Sequence, residues 1–248
     1  MKGTEEKLGG GEIVIPKGRV AKALENYWYH YKWHTIIVAF FVFVFGVCFA
    51  QCAGNKHADV LVTYAGGYTL SGEERNTMDN ILTQLATKPG EERCDVVFNT
   101  YSIYTEEELR AQYFGDETDS AQNSAALSAF NSAKQNNINY LSNFSNFLLT
   151  GESAVFFVSE WVYSTRMKPD RLMSLESVLG EIPDSAYDAY AVRLRDTELY
   201  QYYEALQFLP EDTLVVLMQP TFVGEISRDD VYAQHKALFC SIVNFHAN

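Results

Sequence analysis

Hydrophobic positions along the chain follow two regimes. Between Thr35 and Gly54 no side chain is charged, and Ile36-Ile37-Val38-Ala39-Phe40-Phe41-Val42-Phe43-Val44-Phe45 is apolar without interruption. About 20 residues at ~1.5 Å rise span the roughly 30 Å hydrocarbon core of a bilayer. Summed over its strongly apolar residues, insertion is favourable by on the order of 3 to 7 kcal/mol. Tyr27, Trp28, Tyr29, Tyr31 and Trp33 crowd one end of the run, as an interfacial aromatic belt does. The pattern predicts a cytoplasmic tail (1–34), a transmembrane helix (35–54) and an extracytoplasmic domain (56–248).

In that domain the periodicity switches between 2 and 3.6. Asp59–Tyr64, Asp95–Ser102, Ala154–Ser159, Ala189–Leu194 and Thr213–Met218 read as strands. Ser71-Gly-Glu-Glu74 and Thr105-Glu-Glu-Glu108 have the spacing of capping boxes and predict helices over 71–87 and 105–115. The first helix is expected to present Met78, Ile81, Leu82 and Leu85 on one face and to stop at Lys88-Pro89-Gly90. Asp119–Leu149 reads as helical with a break near Asn136-Asn137, and Leu172–Leu179 as a short helix. Thr197–Leu209 reads as a helix stopped by Pro210. Ser227 is expected to cap a last helix carrying Val231, Leu238, Phe239, Ile242 and Val243, and both His235 and His246. Strands alternating with helices predict one α/β sandwich of three layers.

Charge sets the orientation. Lys17, Arg19, Lys22 and Lys32 precede the apolar run, and only Lys56 follows it before Arg75, so the N-terminus is expected on the cytoplasmic side. The stretch ahead of the run is too long for the charged region of a cleaved signal peptide, and Gln51 before Cys52 does not suit a lipoprotein. An uncleaved signal anchor is expected. The tail holds six of the 19 Lys/Arg and four of the 32 Asp/Glu, leaving a net charge of −15 beyond the membrane segment. Such a domain is a poor partner for nucleic acid.

Candidate chemistry is sparse. GxGxxG, P-loop, GxSxG, HExxH and CxxC motifs are absent, so no cofactor, structural metal or catalytic site is expected. The acidic runs Glu106–Glu108 and Asp116–Asp119 lack EF-hand spacing and suit helix N-termini better. Cys94 and Cys240 suit either a disulfide or buried free thiols. Asn143-Phe144-Ser145 fits a glycosylation sequon. In open α/β sheets, ligands bind beyond the carboxyl ends of the strands. Three loops there are candidates: Tyr64, Gly66, Gly67, Tyr68 and Ser71 after the first strand; Tyr101 and Tyr104 after the second; Ser159, Glu160 and Trp161 after the third. Their hydroxyls and rings suit a small polar ligand, whereas packing on the sheet edge is the structural role Trp161 and Tyr163 would otherwise have.

A basic tail, one anchor helix and the strand Asp59-Val-Leu-Val-Thr-Tyr-Ala-Gly-Gly-Tyr68 resemble membrane-anchored proteins of Gram-positive bacteria related to extracytoplasmic solute-binding proteins. Leu148-Leu-Thr-Gly151-Glu-Ser-Ala-Val-Phe-Phe-Val-Ser159 and Tyr190-Ala-Val-Arg-Leu-Arg-Asp-Thr197, with the following Leu209-Pro-Glu-Asp-Thr-Leu214, add to the resemblance. It implies a non-enzymatic module resembling one lobe of a solute-binding protein, working beside a transporter or another envelope protein. Two lobes need more chain than this domain has, so trapping of a ligand between lobes is not expected. The alternative is an envelope scaffold without a small ligand, with an apolar patch around Tyr200, Tyr202 and Tyr203.

Overall fold

The computed structural model describes residues 19–54, 58–87, 90, 92–115 and 124–247. The expected helix stop at Lys88-Pro89 and the acidic run Asp116–Asp119 lie outside the described residues, as do Lys17, Lys56 and His57. The chain divides into two compact units, the first ending at Lys56.

In the first unit, α1 runs over Arg19–Gly54, 36 residues, about 54 Å of helix. Within it, Tyr27–Phe49 is long and apolar enough to cross a membrane. Phe40, Phe41, Val42 and Phe43 follow one another and all are exposed, so the helix is apolar around its circumference and needs apolar surroundings. At its belt, Tyr27 and Tyr31 stack with centroids 5.3 Å apart, and the Thr35 hydroxyl donates to the Tyr31 carbonyl at 3.0 Å.

The second unit contains β1 (Val60–Gly66), α2 (Gly72–Ala86), β2 (Val96–Ser102), α3 (Glu106–Phe114), α4 (Ser124–Thr150) and β3 (Val155–Ser159). It continues with α5 (Glu160–Arg166), α6 (Leu175–Leu179), β4 (Ala191–Arg193), α7 (Glu198–Tyr202), β5 (Thr213–Leu217) and α8 (Asp229–Val243). The sheet order is β2-β1-β3-β5-β4. β1 pairs in parallel with β2 and β3, whereas β5 is antiparallel to both β3 and β4. β3 and β5 are buried at every position, the pattern of strands covered on both faces. One face packs Val62, Tyr64, Phe98 and Phe157 against Met78 and Leu82 of α2 and Phe239 and Ile242 of α8. The other packs Phe156, Val158 and Val216 against Phe144 and Leu148 of α4 and Val162 of α5. The result is a mixed α/β sheet with helices on both sides.

An edge strand presents unpaired backbone groups that invite association. α2 covers the edge of β2 with side chains at helical spacing. The Thr83 hydroxyl accepts from Val96 N–H at 3.0 Å, the Asp79 carboxylate from Phe98 N–H at 2.6 Å, and Arg75 donates to the Thr100 hydroxyl at 3.1 Å. Positions 75, 79 and 83 are four apart, one turn of helix for every second residue along the strand edge, Thr100, Phe98 and Val96.

Several expectations change in the fold. α4 is continuous through Asn136-Asn137, because Asn137 turns its amide outward and bonds both backbone groups of Tyr104 (N–H to Oδ1 2.8 Å, Nδ2–H to carbonyl 2.7 Å) rather than its own backbone. The helix expected over Thr197–Leu209 is only α7 followed by a 3₁₀ turn, Glu204–Leu206. Of the segment expected as a helix over Leu172–Leu179, only Leu175–Leu179 is helical. Ser227 does not cap α8; its hydroxyl bonds the Gly224 carbonyl at 2.7 Å, and Arg228 occupies the cap position without a side-chain bond. His246 lies beyond the end of α8, while His235 is buried within it. Cys94 and Cys240 are free, half-buried thiols.

Candidate functional site

The sheet register gathers the chemistry at one end. Gly66 of β1 lies beside Ser102 of β2, and Ser159 of β3 lies opposite Thr213 of β5. Because β5 runs antiparallel, Asp212 just before it joins the carboxyl ends of β1, β2 and β3. Arg193 at the end of β4 pairs with Leu214 and comes to the same end. The chain leaves β1 for β2 on one side and then crosses to β3 on the other, so the topological switch point lies between β1 and β3.

Tyr64 is fully buried, and among the described residues its hydroxyl has no partner in full hydrogen-bond geometry, though the Tyr68 N–H faces it. Burial pushes its pKa well above the usual tyrosine range; the Asp212 charge adds to this, and the facing Tyr68 N–H opposes it. Gly66 is required by this ring: a Cβ there would lie 2.6 Å from Tyr64 Oη and 3.3 Å from Ser159 Cβ. A Cβ on Gly67 would lie 2.5 Å from Glu108 Oε1, so the β1 loop rests directly on that carboxylate. Glu108 also closes the capping box of α3, accepting from Thr105 N–H at 2.6 Å while Thr105 Oγ1 accepts from Glu108 N–H at 3.1 Å. Asp212 has its pKa raised, first by burial and then by Glu108 and Glu160, against the backbone N–H groups of Glu160 and of Asp212 itself.

The other expected site residues separate into groups. Ser71 caps α2, and its partner Glu74 also accepts the Tyr68 hydroxyl at 2.7 Å, so Tyr68 and Ser71 close around one carboxylate. Tyr101 ends on the opposite face of the sheet, between Phe144 and Phe147 at 5.5 and 5.6 Å. Ser159 caps α5, which replaces the loop expected after β3. Glu160 pairs with Arg193 at 2.6 Å, and that guanidinium lies 4.6 Å from the centre of the Tyr187 ring. Trp161 is half-buried against the α4 face, and beside it Tyr163 donates its hydroxyl to Asp188 at 2.6 Å. Tyr104 shares a 2.7 Å hydrogen bond with Thr69, whose hydroxyl reaches Ser102 at 2.9 Å. This latch holds the β1 loop against the end of β2.

Beyond the latch a groove of about 500 Å³ opens between α3 and α4. Thr69, Ser102, Tyr104, Gln112, Tyr113, Asn136, Asn137 and Tyr140 supply its polar groups and rings, over Leu109 and Ala133. No protein-family model, curated protein or solved structure matches the chain. What the groove can do follows from its own chemistry. It offers hydroxyl and amide groups with three tyrosine rings, a lining suited to hydrogen bonding and stacking. Among the described residues no group of three His, Cys, Asp or Glu could hold a metal ion. Glu106, in one of the acidic runs, pairs with Lys134 and Arg110 at 3.0 and 3.7 Å.

Of the groove residues only Tyr104 was marked from the sequence. Asp212 precedes a strand, and only the antiparallel direction of β5 brings it to the site. The Asn136-Asn137 pair does not break α4. Asparagine in a helix interior is unfavourable unless its amide is used elsewhere, and here Asn137 fixes the backbone of Tyr104.

Proposed function

We propose that the chain is a membrane-tethered, non-enzymatic binding module that takes a small polar solute in the groove between α3 and α4. The groove itself carries this reading: about 500 Å³ lies within the range of roughly 300–1,000 Å³ of small-molecule sites, and its polar groups converge over an apolar floor. The resemblance of the β1 segment to solute-binding proteins points the same way. So do the commitments of the nearby carboxylates, with Glu74 and Glu108 closing capping boxes and Glu160 paired to Arg193, which favours binding over acid–base chemistry. α1 is the anchor, and the basic residues before it favour a cytoplasmic N-terminus with the domain outside, beside a transporter or another envelope protein.

One observation favours a second reading, a protein-interaction module. Tyr202, Tyr203 and Phe245 cluster with centroids 4.9 to 5.8 Å apart in edge-on and tilted contacts, and Tyr202 is exposed. Thermal-shift measurements on residues 56–248 with amino acids, sugars, short peptides and nucleosides separate the two. A solute at about 100 times its Kd stabilises the domain by roughly 2.7 kcal/mol, and Tyr140→Ala should abolish that shift. A folded domain that responds to none of these classes sinks the solute reading in favour of a protein partner.

A further inference from the structure

We infer that the end of the sheet opposite the groove is a docking face for an anionic phospholipid bilayer, an inference that rests on the proposed membrane anchor. The Ser153 hydroxyl donates to the Leu61 carbonyl at 2.6 Å, so β1 starts at the same end as the turn between α4 and β3. Met218, just past β5, donates its N–H to Ala154 at 2.8 Å and brings the loop after β5 there too. Five residues of chain, 55–59, separate Gly54, the last of α1, from Val60, the first of β1, a span of at most about 22 Å. The proposed anchor is thus joined to the domain through the starting end of β1.

Two features mark this face. Phe222 is fully exposed and Val223 largely so, yet their loop is braced. Gly151 and Gly224 have φ of 69° and 77° and meet backbone to backbone with no room for a Cβ on either. The Thr221 hydroxyl donates to the Val223 carbonyl at 2.6 Å, and Ile226 N–H to the Gly151 carbonyl at 2.8 Å. A phenyl ring held out by a fixed loop is suited to burial in an apolar partner.

Beside it, Arg166, Lys168 and Arg171 fall within six residues, with Asp170 the one acid among them. Among the described residues of the domain, Arg166, Lys168 and Arg171 make no ion pair, nor do the isolated Arg75 and Lys236, whereas Arg93, Arg110, Lys134, Arg193, Arg195 and Arg228 all do; only the first three fall together in one short segment. Two grooves of about 250 and 270 Å³ connect the cations to Phe222 over a shared wall of Leu148, Leu149 and Met218. An apolar floor with a cationic rim and a projecting aromatic ring matches the headgroup and upper acyl region of an anionic lipid surface. In a domain of net charge −15 beyond the membrane segment, an anionic surface repels the rest of the exterior and selects this face.

Hydrogen exchange of the full chain in nanodiscs tests this. Each cation near the surface contributes about five-fold, ~1 kcal/mol, in preference for anionic over neutral headgroups. Segments 166–171 and 219–224 should exchange several-fold more slowly in phosphatidylcholine–phosphatidylglycerol discs than in pure phosphatidylcholine. High salt should weaken the difference, and the triple variant R166Q/K168Q/R171Q should remove it. Phe222→Ser, whose side chain supports no packing, should reduce the protection while leaving β3 and β5 unchanged. Equal exchange in both lipids, with 35–54 protected, overturns docking and leaves the anchor intact. Free exchange across 35–54 overturns the anchor, and docking with it.

Discussion

Acidification from pH 7 to pH 4 should destabilise the domain through one buried side chain, His235. The ring is 1% exposed on α8, and its Nδ1 accepts from Ala154 N–H at 3.4 Å. That bond places the proton on Nε2, which has no partner among the described residues. Burial lowers its pKa to about 4, against about 6.5 in the unfolded chain. The folded value is depressed, so the contribution is full above about 6.5, is lost progressively as the pH falls toward 4, and is flat below that. The 2.5-unit difference implied by a folded value of about 4 is worth about 3 kcal/mol at ~1.36 kcal/mol per unit. Against a usual total of ~5–15 kcal/mol, that loss is large. Carboxylates titrate in the same range, so the measurement is a difference. Urea unfolding of residues 56–248, followed by Trp161 (the one tryptophan in that fragment), is compared between the native sequence and His235→Asn across pH 7.5 to 3.5. The asparagine Oδ1 stands where Nδ1 accepts from Ala154 and does not titrate. The stability difference between the two proteins should shift by about 3 kcal/mol between pH 7 and 4. Parallel curves would refute the assignment of a neutral buried imidazole.

Three further outcomes are expected. Gly66→Ala should cost roughly 1–3 kcal/mol, since the added methyl meets the immovable Tyr64 ring; an unchanged urea midpoint would contradict that close approach. Asp79→Ala removes the charged acceptor of Phe98 N–H and should cost about 1.5–3 kcal/mol. It should also speed hydrogen exchange on β2 selectively, so uniform exchange changes would speak against edge covering by α2. Ser159→Ala loses the cap on α5 at about 1 kcal/mol, and Ser159→Asn should recover part of it, read by the thermal midpoint.

The candidate site was legible only where its chemistry is local. Ser71 and Thr105 cap helices as their spacing to Glu74 and Glu108 indicates, because a capping box involves four consecutive residues. The Gly66-Gly67 pair reads from the sequence as a candidate ligand contact, whereas the Tyr64 hydroxyl and the Glu108 carboxylate that leave no room for a Cβ there come from tertiary packing. Tyr101 and Trp161 looked like ligand contacts from their loops, yet the alternation along β2 and the turn into α5 put both on the α4 face.

The amino-acid sequence by itself determined the apolar helix, the five strands, the boundaries of α2 and α3 and the residues of α2 and α8 that turn inward. Each depends on a period or a cap read within a few residues, where backbone geometry leaves few choices. Only the tertiary structure decided the direction of β5, which brings Asp212 and Arg193 to the strand ends. It also decided the use of Asn137 on Tyr104, the isolation of the Tyr64 and His235 polar atoms, and the unpaired cations beside Phe222. Those features depend on residues tens of positions apart meeting in a dense interior or on one surface, and no local pattern encodes which of many compatible partners will meet.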